Sequence, residues 1–475
     1  MAERDLVHRW RGTTSRCRAS ARRHAPQKGQ VPPAGWVVES PARISYSRSL
    51  AARALLLAAV VLALGCAPDT CTEAGLAAAL EGAGASGVVQ VGDCEVETTG
   101  LVVPAGVTLT GTTDASAIRG LGPDPAVSLG AGARLTELVV AADDGVAVDV
   151  SGVESALLAD LTIVGPVTPD NVADHPASGT ASRIGLLIRD SGTDDVPVRL
   201  ERVRVRGFAD VGVGLVRSEV RWVEGSVSES LGAGLAVSGG RLVLASVTLR
   251  DMLQEGRLSA TYAGVFLAGA EVESEDLVVE DNAGAGLMHD AASAVHHCIV
   301  VRNNALLGMW TQRAPRFELT GATSILDGNG RVGLAIHDPA GPHMVSDVTI
   351  TNTRVVPRAV GMFGMDAVAD GIHLVSEDTA AVTLTSLELR ANLRAGALIH
   401  VRSGMIDPAT LRSVTVESSG SAYGVIAQDP AGNIPSGAWD TDVTRAGAAV
   451  TNDAMASQVE ILGIIAPMGL PVPPP

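Results

Sequence analysis

Lysine is almost absent from this chain of 475 residues: Lys28 stands alone, so a lysine base is excluded from everything downstream of it. Aromatic residues make up 3%, leaving few ring faces on which a sugar or base could stack. No GxxxxGK[ST] sequence occurs, which removes the phosphate loop of nucleotide-hydrolysing folds. The longest apolar run, ARALLLAAVVLALGC at 52–66, is shorter than the ~18 residues or more that a spanning helix needs. Net positive charge is confined to the first part of the chain. Residues 1–65 hold ten Arg, one Lys and three acids, a net +8, so the formal total of −17 leaves −17 − 8 = −25 for the rest. A surface so acidic repels phosphate backbones, and no nucleic-acid partner is expected.

What is abundant is glycine, at 53 residues, within a background of Val, Ala and Leu that brings apolar residues to 46%. The stretch VVEDNAGAGLMHD at 278–290 is echoed by IVVRNNALLGMWTQ at 299–312. Aligning the glycine before each short apolar segment gives Gly185, Gly214, Gly234, Gly264, Gly286, Gly308, Gly333, Gly371, Gly396 and Gly424, with shortest steps of 20 and 22 residues. Each unit carries an earlier segment of alternating apolar and polar residues, such as HHCIVVRNN and VTLTSLELRAN, the period of a half-buried strand. Two or three short strands and tight turns fit such a step, whereas an ordinary helix does not.

Four residues before the aligned glycine stand Asn282, Asn304, Asn329 and Asn392, with Ser230 and Asp210 in other units. Asn tolerates left-handed backbone and suits a tight bend. Stacked at the ~4.8 Å strand spacing, such amides can hydrogen-bond along the stack as a ladder. In this the sequence resembles the right-handed parallel β-helices of the pectate-lyase-like superfamily. The resemblance implies an all-β fold, a single-stranded right-handed parallel solenoid of about 12 coils over residues 100–440. An Ala- and Leu-rich segment at 72–84 is expected as a helical cap within residues 66–99, and 441–475 as a C-terminal cap and proline-rich tail.

The run at 52–66 has a basic flank, an apolar stretch, then Gly65 and Cys66, and resembles a bacterial lipoprotein signal peptide. That resemblance implies cleavage before Cys66 and attachment of lipid to its sulfur. Ala67, not an acidic residue, follows, so the implied address is the outer membrane, with the periplasmic or external face open. Residues 1–65 are then a leader; translation from Val37 or Val38 would leave 1–36 out of the protein, and a long basic segment is the alternative. Cys71 and Cys94 flank the helical pattern and are expected to form a disulfide in an oxidising compartment. Cys298 falls inside a strand pattern, where burial is expected.

Three insertions, at 165–183, 251–263 and 352–370, interrupt the coils near the asparagine corner. In the segment after each aligned glycine, the second and fourth residues should point outward. The resulting strip contains Asp290, Trp310, Gln312, His337, His373 and His400, with Arg313 and Asp338 beside it. Many members of the superfamily cleave acidic polysaccharides along such a face. By that resemblance His337 serves as base, Arg313 neutralises a sugar carboxylate, Asp290 or Asp338 pairs with it or holds Ca2+, and Trp310 stacks on a sugar. The polygalacturonase-like signatures are missing apart from the pairs Asp143-Asp144 and Asp194-Asp195. His289, His296 and His297 cluster in sequence, but neighbours in a strand face opposite sides, and no metal site is expected.

Two functions follow. One is a lipid-anchored, non-catalytic rod for binding, adhesion or envelope structure, with a polysaccharide or an envelope protein as partner and no cofactor. The other is a polysaccharide lyase or glycoside hydrolase, with Ca2+ needed if it is a lyase.

Overall fold

The computed structural model describes residues 69–175, 183–253, 263–356, 368–407, 410–417, 423–428, 443–446 and 450–452. Cys66 and the segment before it, expected as lipidation site and leader, lie outside these residues, as do most of the second and third insertions and the proline tail. Among the described residues no helix is long and apolar enough to cross a membrane.

The described residues from Asp69 onward form a right-handed parallel β-helix of about 12 turns. One coil shows the unit: strands Ala285–Asp290, Ser293–His297 and Val300–Arg302. Each pairs in parallel with its counterpart one coil earlier and one coil later. Three parallel sheets therefore run along the axis, and alternate side chains of all three fill a continuous core of Val, Leu and Ile.

The first coil begins at Val88, and the helix Glu73–Gly82 packs on its strands. Thr72 caps that helix by accepting from the Gly75 N–H at 3.2 Å, and Leu76 and Leu80 are buried against the stack. Glu73 ties the cap down by accepting from Thr98 Oγ1 at 2.7 Å and from the Thr99 N–H at 2.8 Å. The Cys71–Cys94 disulfide is formed.

The asparagine ladder is present. Nδ2 of Asn282 donates to Oδ1 of Asn304 at 2.7 Å, and Nδ2 of Asn304 donates to Oδ1 of Asn329 at 3.0 Å. The run continues on both sides, with the Met252 N–H donating to Asn282 and the Thr353 N–H to Asn392. Of the two reasons expected for asparagine, the amide ladder holds and the left-handed backbone does not. The left-handed residues are those immediately before it: Asp281 (φ 56°), Asn303 (φ 56°), Gly328 (φ 62°) and Ala391 (φ 50°). The ladder position is selected for its amide, which serves both backbone and side-chain partners, and not for backbone freedom.

The aligned glycines answer to space rather than to backbone conformation. Their φ values are not positive; instead a Cβ on Gly286 would lie 2.8 Å from Nδ2 of Asn304 and 2.5 Å from the Gly308 carbonyl oxygen. Gly264, Gly308 and Gly371 meet Asn282, Asn329 and Asn392 in the same way. Each glycine clears space for the next coil's asparagine. Strand register puts Gly212, and not Gly214, opposite Gly185: Ile184 pairs with Val211, Leu186 with Val213, and Gly214 faces Leu187. Cys298 is buried but sits at a left-handed bend (φ 54°), between strands rather than within one.

Candidate functional site

Strand register brings the expected strip together. Asp290 pairs with Gln312, Gln312 with His337, His337 with Val375 and Val375 with His400; in the second column Trp310 pairs with Ala335 and Ala335 with His373. The strip faces away from the lumen, as its parity requires. It is not a solvated surface, however. His337 and His373 are 0% exposed, Trp310 1%, Gln312 4% and His400 8%. Phe266, Met288, Trp310 and Ala335 form a second apolar cluster on this outer face, apart from the central core.

Within it the rings stack. Trp310 and His337 have centroids 4.6 Å apart, and His337 lies nearly parallel to His373 at 5.7 Å. Among the described residues neither nitrogen of His337 has a hydrogen-bond partner, and Nε1 of Trp310 and Oε1 of Gln312 share that condition. Burial first, then the charges of His373 and Arg402, hold His337 well below the usual imidazole range, so it is neutral at pH 7. A neutral ring with unpaired nitrogens has the protonation state of a base, but no contact with solvent.

His373 belongs to a second group that the sequence did not disclose. Its Nδ1 lies 2.8 Å from Oδ2 of Asp370, and Arg394 grips both oxygens of the same carboxylate, Nε to Oδ1 at 2.7 Å. Asp370 is fully buried. Burial alone raises its pKa, but the hydrogen bonds from Arg394 and His373 together with their charges win, and the carboxyl stays below its usual range. A signal for this pair did exist. Asp370 takes the place before the aligned glycine, where Ala263, Ala285, Leu307 and Val332 are apolar.

The charged residues of the strip's edge are engaged with each other. Arg313 pairs with Asp290, which also accepts from Gln312 Nε2 at 3.0 Å. Arg402 pairs with Asp338 at 2.7 Å and lies 3.7 Å from Glu377. The two carboxylates proposed for Ca2+ are thus each held by an arginine, and among the described residues no group of three or more His, Cys, Asp or Glu is placed to hold a metal ion. Similar pairs bridge successive coils elsewhere, Arg202 with Asp160 and Arg217 with Asp190, each between left-handed corner residues. The expected opposition of His296 and His297 holds: His296 is fully buried, whereas His297 is half-buried and meets Thr320 Oγ1 at 3.2 Å.

No protein-family model and no curated protein matches the chain. Among solved structures, it is similar to the catalytic unit of a thermostable GH87 alpha-1,3-glucanase from Streptomyces thermodiastaticus, with 13% identity, TM-score 0.39 and coverage of 80% of this chain and 67% of that one. It is similar to the A-module of a mannuronan C-5 epimerase from Azotobacter vinelandii, with 15% identity, TM-score 0.37 and coverage of 85% and 99%. A periplasmic alginate epimerase gives 11% identity, TM-score 0.39 and coverage of 80% and 83%. No residue role transfers at such identities.

Proposed function

We propose that this chain is a non-catalytic binding and structural module: a β-helix rod, held at the bacterial outer membrane by lipid on Cys66, that engages a polysaccharide or an envelope protein along its flank. One observation carries the reading. The side chains with chemistry to offer are either sealed, as His337 and His373 are, or held by one another, Asp370 by Arg394 and Asp290 by Arg313. A lyase or glycosidase instead needs an acid and a base in reach of the polymer's scissile bond.

The second reading, a polysaccharide lyase or glycoside hydrolase, is favoured by the unpartnered His337 against the Trp310 ring. One assay separates the two. The full chain is incubated with acidic and neutral polysaccharides, with and without calcium, and scored for unsaturated products, reducing ends and retardation in affinity gels. Retardation without product supports the module. Product that disappears in both His337→Ala and Arg313→Ala establishes the enzyme. The anchor is tested separately: radiolabelled fatty acid enters the wild-type protein and is absent from Cys66→Ala, and incorporation that survives the change refutes it.

A further inference from the structure

Inside the lumen, behind the strip, runs a polar thread that crosses a bend. His289 points inward from Ala285–Asp290, and His296 points inward from Ser293–His297 of the same coil; both are buried, at 1% and 0% exposure. Their Nε2 atoms face each other at 2.9 Å. Nδ1 of His289 lies 3.1 Å from the Trp310 carbonyl oxygen, and Nδ1 of His296 lies 2.6 Å from Oγ of Ser274.

Only one placement of protons on two neutral rings satisfies every contact. A carbonyl accepts and cannot donate, so Nδ1 of His289 carries the hydrogen and its Nε2 accepts. Nε2 of His296 therefore donates, and its Nδ1 accepts from the Ser274 hydroxyl. A further proton is taken up only by reversing the thread: His289 donates from both nitrogens, His296 accepts on Nε2 and donates from Nδ1, and the Ser274 hydroxyl rotates to accept, which leaves a full positive charge on two buried rings. A second proton sets two N–H groups head to head at 2.9 Å.

Among the described residues the surroundings offer no counter-charge. Phe317 packs edge-on against both rings, and His343 lies beyond it. Each ring of the pair and His343 are the titratable groups that act on the thread among the described residues. The carboxylates of the strands around it, Glu271, Glu273, Glu275, Asp290 and Glu318, alternate to the outer face.

We propose that this thread is an acid-sensitive latch: protonation of the His289–His296 pair opens the coils around it and, through the bond to the Trp310 carbonyl, loosens the strip on the outer face. The proposal stands whether that strip binds or cleaves. The sign follows from burial, which holds His289 at about 4 against an ordinary 6.5 and lowers His296 as well. The open form takes up protons that the closed form disfavours, so the latch is fully closed above pH 6.5 and weakens as pH falls toward 4. For His289 alone the opening equilibrium grows ~30-fold by pH 5.

Peptide-resolved hydrogen exchange of the full chain at pH 7, 6 and 5, corrected for intrinsic rates, tests it. Protection over 285–297 falls ~30-fold or more by pH 5 relative to 139–164, a stretch without histidine. An equal change in both stretches, or none, overturns the proposal. Because His337 and His343 are lowered too, a second arm replaces the thread itself by His289→Leu, His296→Leu and Ser274→Ala, and the excess loss over 285–297 disappears. Persistence of that loss overturns the latch. Should this variant fail to fold, imidazole nitrogen shifts of the wild type at pH 7 decide: His289 protonated on Nδ1 and His296 on Nε2 is required, and any other pair of tautomers refutes it.

Discussion

Oδ1 of Asn304 accepts at once from Nδ2 of Asn282, at 2.7 Å, and from the Asn282 backbone N–H, at 3.3 Å. One oxygen thus joins two coils through two donors, while the Nδ2 of the same residue reaches Asn329 and the Val279 carbonyl. Asn304→Ala strips all of these at once and leaves buried donors behind. It lowers unfolding free energy by about 2–4 kcal/mol in denaturant titration. A loss below 0.5 kcal/mol would show the ladder to be decorative.

Glycine substitutions separate space from conformation. Gly308→Ala drives a methyl to within 2.5 Å of the Gly333 carbonyl oxygen and 2.8 Å of Asn329 Nδ2, backbone and buried amide that cannot swing aside. We expect a loss of about 2 kcal/mol or more. Gly82→Ala, at the end of the cap helix with nothing within 4 Å, raises stability by about 0.5–1 kcal/mol instead. Thermal melts of the two variants should move in opposite directions.

Asp370→Asn removes the charge that Arg394 and His373 share, within a fully buried site. Breaking such a pair from one side costs about 3–5 kcal/mol. The pH dependence has a definite sign. Because the folded carboxyl is held below 3.8, its contribution is complete above that value and fades as pH drops through the lower folded one. The difference between wild type and Asp370→Asn should therefore be flat from pH 5 to 8 and narrow in stronger acid.

His337→Leu discriminates structure from function at one position. Both of its nitrogens are buried without partners, a condition that destabilises the fold. Leucine of similar volume relieves it, and stability at pH 7 rises by about 1–3 kcal/mol. The slope of stability below pH 6.5 also shrinks, because the lowered imidazole no longer disfavours acid. Polymer binding by the rod survives the change; loss of binding or of product formation would place His337 in a working site.

The coil was legible from 278–312 because strand alternation and a recurring Asn are local properties of about twenty residues. Errors arose where a second residue satisfied the same local rule. Gly212 and Gly214 both precede aliphatic residues and lie two apart, so a shift from one to the other keeps every side chain on its own face. Parity also placed Trp310 and His337 outside the lumen, but cannot say what lies against that outer face, and both are sealed. The Asp370–Arg394 and His289–His296 pairs escaped for another reason. Each is formed across a bend or between coils, 24 and 7 residues apart, and single-strand alternation carries no information about such meetings.

The parallel stacking has a mechanical consequence. Because each strand bonds only to the coil before and the coil after, the molecule behaves as a spool whose turns are glued side by side. A pull that draws chain off one end strains one coil's bonds at a time, never all three sheets together. Each released coil, 22 residues where Ala285 lies over Leu307, lets out ~75 Å of extended chain. Under load such a tether yields in steps and absorbs work at each one, and the step across the Asn282–Asn304–Asn329 ladder should demand the highest force.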